Sequence, residues 1–206
     1  YVVYNPVVVP KLFVLAKAPV EHPWFSASEP PVVLSVGRLT AAKDYPTLLR
    51  AISLVIMVRP VRLLILGEGE ERTRLEAMVR NLGLGDVVSL PGFEENPYSY
   101  MSKAKVFVLS SAWEGFGNVL VEAMAVGTPV VTTDCPNGPA EILENGKYGR
   151  LVPVGNAKAL AEGILATLDA PTNPVELRRR AKEFSYDKIV DQYLEILHGC
   201  EWAIAR

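Results

Sequence analysis

The sequence predicts an α/β fold: an open, mostly parallel sheet with helices on both faces. Three observations predict it. Short β-branched runs alternate with stretches of helical spacing from Val32 onward. The runs are apolar throughout rather than alternating, as strands covered on both faces are. Gly or Pro punctuates most junctions, so strand, turn and helix recur in order. Composition agrees, since 206 residues with 50% hydrophobic and 21% charged side chains can fill the core of one ordinary domain.

The elements follow in order. Residues 1–9 are apolar and extended in character, and Pro10, Pro19, Pro23, Pro30 and Pro31 forbid a continuous helix after them. Residues 1–31 therefore read as an arm or linker leading into the domain. Residues 32–36 form a strand stopped by Gly37. Residues 48–58 have helical spacing, with Pro46 allowed in the first turn. Residues 62–66 are a buried strand ended by Gly67-Glu68-Gly69, and residues 72–82 a helix stopped by Gly83. A strand at 87–90 and a short helix at 97–104 come next. Then follow a strand at 106–109, a helix at 119–125 stopped by Gly127, and a strand at 130–132. A weaker strand at 151–152 precedes helices at 157–168 and 186–197.

Several function classes are excluded or disfavoured. The formal net charge of −2 gives no electrostatic footprint for nucleic acid. Arg, Lys, Glu or Pro interrupts each apolar run before it reaches membrane-spanning length. Cys135 and Cys200 cannot make a disulfide scaffold or a zinc site, and His22 and His198 lack metal-ligand spacing. These features suit a reducing, cytoplasmic setting. The chain begins at Tyr1 without a signal-peptide layout, which reads as part of something longer. Gly67-Glu68-Gly69 lacks the third glycine of a dinucleotide loop, and its acidic residues would repel a pyrophosphate. No P-loop and no Asp-x-Asp pair for a divalent metal is present.

Ligands of parallel sheets bind beyond the carboxyl ends of the strands. The most informative loop there is Ser110 to Asn118. Gly115 and Gly117 let backbone approach a ligand closely. The N–H groups of Asn118, Val119 and Leu120 open a helix whose dipole favours an anion. Glu114 and Glu122 flank this turn; they suit hydroxyl acceptors beside bound phosphate, and equally a turn residue and a surface helix residue. Arg38 and Lys43, just past the first strand, can neutralise a diphosphate without metal. The same pair is also readable as a solvated basic turn. Cys135 lacks a nearby activating base and reads as a small buried thiol. Glu141 fits either the same crevice or an exposed first turn.

In this order the segments resemble those of retaining glycosyltransferases of family 4, built on the GT-B fold. The resemblance rests on Gly37-Arg38-Leu39 with Lys43-Asp44, on Leu66-Gly67-Glu68-Gly69, and on Glu114-Gly-Phe-Gly-Asn-Val-Leu-Val-Glu122. Gly127-Thr128-Pro129-Val130-Val131, Gly138-Pro139-Ala140-Glu141-Ile142-Leu143, Asn145-Gly146 and Gly149 extend it over residues 32–168. It implies a Rossmann-like half of a GT-B fold. Residues 32–170 would bind a nucleotide diphosphate sugar, UDP-sugar ahead of GDP-sugar. Residues 171–206 would pack toward an N-terminal domain that this chain lacks.

The resemblance also implies roles. Arg38, Lys43 and Glu114 would be catalytic, the two cations stabilising the leaving diphosphate. Gly37 and the turn from Gly115 through Phe116, Gly117, Asn118, Val119 and Leu120 would contact sugar and phosphate. Glu122 would accept from the ribose hydroxyls, and backbone near Gly92 and Phe93 would meet the base. No metal or other cofactor is implied. The whole enzyme would serve polysaccharide or glycoconjugate synthesis. Its acceptor, a glycan or lipid-linked sugar, would be held by the missing domain, at the inner face of a membrane; the fragment alone would be inactive. The residues also admit an epimerase half of the same fold and a non-catalytic nucleotide-sugar-binding module. A flavodoxin-like signalling domain is disfavoured by the Glu114–Glu122 loop.

Overall fold

The computed structural model describes residues 2–204, with side chains described to His198. Six parallel strands form one sheet: β1 (Val32–Val36), β2 (Arg62–Leu66), β3 (Val88–Gly92), β4 (Val106–Leu109), β5 (Val130–Thr133) and β6 (Arg150–Val152). Their order is β3-β2-β1-β4-β5-β6. The chain thus winds outward twice from the β1–β4 pair, where Val33 and Leu34 align with Val106 and Phe107. That reversal opens a crevice at the carboxyl ends of the strands.

Each strand feeds both faces, which is why the runs read as continuously apolar. Val33, Leu63 and Ile65 point to a core shared with α2 (Tyr45–Val55), α3 (Arg72–Asn81) and α7 (Ala157–Asp169). Val32, Leu34, Leu64 and Leu66 point to the other core, shared with α4 (Pro97–Lys103) and α5 (Asn118–Val126). Most of these side chains are fully removed from water. A buried Leu or Val contributes about 1.5–3 kcal/mol, so the two layers dominate the stability of the fold.

The sequence placed the strands within a residue or two. The helices differ more. α2 starts three residues before the expected 48 because Asp44 adopts a left-handed φ of 42° and accepts from the Thr47 N–H at 3.3 Å. That cap places Pro46 inside the first turn, where its missing N–H costs nothing. The helix also ends at Val55, and Met57 and Val58 then lie 80% and 70% exposed with no core to meet.

One helix begins at Pro10, which read as a breaker, and another begins at Pro174. α1 (Pro10–Leu15) lies within the arm, and α8 (Pro174–Ala181) follows α7; each carries Pro at its start. The arm is docked rather than trailing. Val8 and Leu12 are buried, and Val8 bridges Ser185 in parallel. Between β5 and β6 lies α6 (Pro139–Ile142). α8 packs on α5 of this domain through Leu177 and Ala181. α9 (Tyr186–Ile204) buries Ile189 but leaves Tyr193, Leu194 and Leu197 exposed.

Candidate functional site

The crevice at the sheet reversal has a volume of about 830 Å³. The loop after β1 forms one side. The Gly37 N–H donates to the Leu66 carbonyl at 3.0 Å, and the Leu39 N–H to the Glu68 carbonyl at 2.8 Å. Leu39 is buried beneath, so the exposed residue between them, Arg38, projects over the opening. Its guanidinium has no hydrogen bond or ion pair among the described residues. It is therefore available to an anion at little rearrangement cost.

Lys43 stands beside it, at the end of a short 3-10 turn (Ala41–Lys43). Its Nζ lies 2.5 Å from Glu114 Oε1, with 18% and 10% of the two side chains exposed. The Ser111 hydroxyl donates to the same oxygen at 2.6 Å, and Ser111 is fully buried. Ser110 donates to the Lys43 carbonyl at 2.8 Å, and Thr133 to the Ser111 carbonyl at 2.5 Å. Oε1 is thus taken twice, while no hydrogen bond is made to Oε2 among the described residues. The ion pair sits in a low-dielectric setting, where losing either partner is expensive.

The opposite side is the start of α5. Gly117 caps the helix at φ 96° with no side-chain cap, and the Asn118 and Val119 N–H groups have no acceptor among the described residues. Leu120 differs from expectation. Its N–H already donates to the Gly117 carbonyl at 2.9 Å, and its side chain is fully buried. The first turn is tight enough to satisfy that donor internally, so the helix start leaves two N–H groups open among the described residues, not three. Gly115, Phe116, Gly117, Asn118, Val119 and Glu122 all line the crevice with Gly37, Arg38, Lys43 and Glu114. Glu122 accepts a long hydrogen bond from the Tyr98 hydroxyl at 3.4 Å. Burial raises its carboxyl pKa, and the Tyr98 bond offsets part of the rise.

An adjoining pocket of about 370 Å³ lies over the ends of β1 to β3, shared through Gly37 and Arg38 and walled by Phe93, Glu94 and Glu68. Phe93 is 73% exposed there. Gly92 lies behind it, buried, and accepts from the Gly67 N–H at 2.7 Å. Glu68 does not confront the ligand space unpaired, because Arg72 takes both its oxygens at 2.7 Å.

Cys135 is a buried free thiol whose pKa is raised, first by burial and then by the Glu114 charge, so it is poorly suited to act as a nucleophile. The Cys200 side chain lies outside the described residues. Glu141 is exposed and does not line the crevice. Among the described residues no group of three or more His, Cys, Asp or Glu could hold a metal ion. No described helix is long and apolar enough to cross a membrane.

Three lining residues carried no sequence signal: Val3, Tyr4 and Asn5 of the arm. Ser111 and Tyr98 also act at the site without a motif to mark them. Tyr98 reaches Glu122 across 24 residues, and Ser111 acts on Glu114, three residues away, through a fully buried hydroxyl.

Comparison with known proteins fits this geometry. The family described as Glycosyl transferases group 1 matches residues 21–188. A Campylobacter jejuni N-acetylgalactosaminyltransferase acting on a diphospho-undecaprenol-linked sugar is 36% identical over 171 residues, 81% of this chain and 46% of that protein. The Rhizobium meliloti lipopolysaccharide core glycosyltransferase LpsE is 34% identical over 175 residues, 82% of this chain and 50% of its own length. The chain thus spans about half the length of these relatives. Among solved structures, Anabaena HepE in complex with UDP superposes at a TM-score of 0.76 and 27% identity, covering 82% of this chain and 49% of that one. The apo galactosyltransferase WaaB reaches 0.79 at 23% identity, over 97% of this chain and 55% of its own, a likeness of fold. With the sheet order, the crevice and the matched span all in agreement, the chain belongs to the glycosyl transferases group 1 family.

Proposed function

We propose that this chain is the donor-binding half of a retaining glycosyltransferase of family 4, which moves a sugar from a nucleotide diphosphate sugar to an acceptor hydroxyl. One observation carries the reading. The unpaired Arg38 guanidinium, Lys43 and the free N–H groups of Asn118 and Val119 converge on one crevice at the sheet reversal. Two cations and a helix N-terminus match the charge of a diphosphate and stabilise it as it leaves. Glu114, held through Oε1, offers Oε2 to a sugar hydroxyl, and Glu122 offers its carboxylate to the ribose. The adjoining pocket at Phe93 takes the base. UDP is the first candidate, since HepE was solved with it.

In this reading residues 32–170 hold the donor, residues 1–31 form the linker, and residues 171–206 lead back toward an acceptor-binding domain. Acceptor, full turnover and any attachment to a membrane face belong to the whole protein.

The first test is calorimetry with UDP and UMP in the presence of chelator. UDP is expected to bind more tightly, by about 1.5–3 kcal/mol for each charge-assisted contact the second phosphate gains. Equal affinity would remove the assignment of Arg38 and Lys43.

Glu122→Gln gives a second test with opposite signs in two measurements. Binding of a ribonucleotide is expected to weaken more than that of its 2′-deoxy analogue, because the amide keeps only one acceptor. The unliganded domain is expected to gain stability at pH 7. A carboxyl whose pKa is raised by folding is favourable in its protonated form, and that contribution is lost as pH rises through the raised value. Wild type and variant should therefore converge on acidification below the ordinary carboxylate range. Thermal melts across pH report this; a variant less stable at pH 7 would contradict it.

A further inference from the structure

The donor turn between Glu114 and Asn118 holds two glycines, and at Gly115 an added Cβ would meet nothing within 4 Å. No side chain packs against the turn at Gly115. Two segments brace it from outside. One is the arm. The Tyr4 ring stacks on Phe116 at 5.3 Å and 27°, and the Asn5 amide donates to Asn118 Oδ1 at 3.1 Å. The other is the segment before α9, where Phe184 stands edge-on to Tyr4 and Phe116, 5.6 Å from each. Backbone bonds lock the two segments together. The Val7 and Val8 N–H groups donate to the Phe184 carbonyl at 2.9 and 3.0 Å, and the Tyr186 N–H to the Val8 carbonyl at 3.0 Å.

We propose that Tyr4 and Asn5 are positioning residues for the donor phosphates, acting through Phe116 and Asn118. The chain enters and leaves the domain at one clip, and that clip presses on the turn whose N–H groups meet the anion. Holding the turn in its binding shape before the ligand arrives removes an ordering cost from the binding step. The effect falls mainly on the phosphates, because the base is met by another loop and Glu122, which meets the ribose, is carried a full turn further along α5. The inference rests on the donor-binding reading above.

The experiment titrates the chain and three variants with UDP and with UMP. Tyr4→Ala removes the ring and is expected to lower UDP affinity about tenfold, with UMP changed less than about twofold, the scale of an aromatic pair. Tyr4→Phe keeps the ring and is expected to restore UDP affinity to within about twofold of wild type. Asn5→Ala, at an exposed position, is expected to lose about threefold on UDP alone and keeps the test open if Tyr4→Ala does not fold. A wild type that binds UDP and UMP alike removes the donor-binding reading and this inference with it. A wild type that discriminates, with variants that discriminate equally or lose both ligands in parallel, overturns the inference alone.

Discussion

Arg38→Ala is expected to weaken UDP binding by about 1.5–3 kcal/mol, roughly 10- to 100-fold, with little change in unliganded stability. The side chain is exposed and has no partner among the described residues, so its removal uncovers nothing. All of its effect should therefore fall on the complex. Arg38→Lys should recover only part of the loss, since an ammonium keeps the charge but not the fork that engages two phosphate oxygens. Lys43→Met should behave differently. It removes a cation and leaves Glu114, with 10% of its side chain exposed, as an unpaired carboxylate facing the phosphates. Both stability and UDP affinity should fall. Adding Glu114→Gln should return stability while leaving UDP binding weak. Calorimetry with urea unfolding of the four variants checks this, and an Arg38→Ala protein that binds UDP as wild type does would dismiss the crevice as the diphosphate site.

The contrast between these two cations shows what was legible in the sequence. Both could be picked out as basic residues past a strand. That Arg38 is free and Lys43 is engaged depends on Glu114, 71 residues away, and on the buried Ser111 hydroxyl. Spacing within a loop cannot report a contact of that range. The strands were legible because burial on both faces demands unbroken apolar runs, and the crevice-lining loops followed because parallel sheets present their loops at one edge.

The arm was the least legible part. Tyr4 and Asn5 reach the site from a proline-rich segment, and the Asn5–Asn118 bond joins residues 113 apart. Pro10 read as a breaker because proline removes a donor; it instead starts a helix, where that donor has no partner in any case. Leu120 was misjudged for a related reason. The rule that a helix leaves its first N–H groups free does not say which of them a tight glycine turn satisfies, and here Gly117 takes the third.

The largest expected effect on folding is at Gly138. Its φ of 95° and ψ of −59° lie where a side chain is strained. An added Cβ would stand 1.7 Å from the Phe116 carbonyl oxygen and 2.5 Å from its carbon. Both atoms are backbone, so no rotamer change relieves the contact; the donor turn itself must move. Asn137, at φ 65°, closes the same approach, and its amide donates to the Glu114 carbonyl at 3.4 Å. Gly138→Ala is therefore expected to cost about 2–4 kcal/mol of stability, from backbone strain and the displaced turn together. Because the displaced residue is Phe116, the folded fraction should also bind UDP poorly while retaining more of its affinity for UMP. Gly85→Ala is the control, since an added Cβ there meets nothing within 4 Å and no positive φ is required. It should be neutral or stabilise by about 0.4–1 kcal/mol through the unfolded chain. Urea midpoints of the two variants, with nucleotide titrations on each, decide the matter. A Gly138→Ala protein as stable as Gly85→Ala, with UDP affinity unchanged, would mean that the turn at residues 137–138 does not bear on the donor site at all.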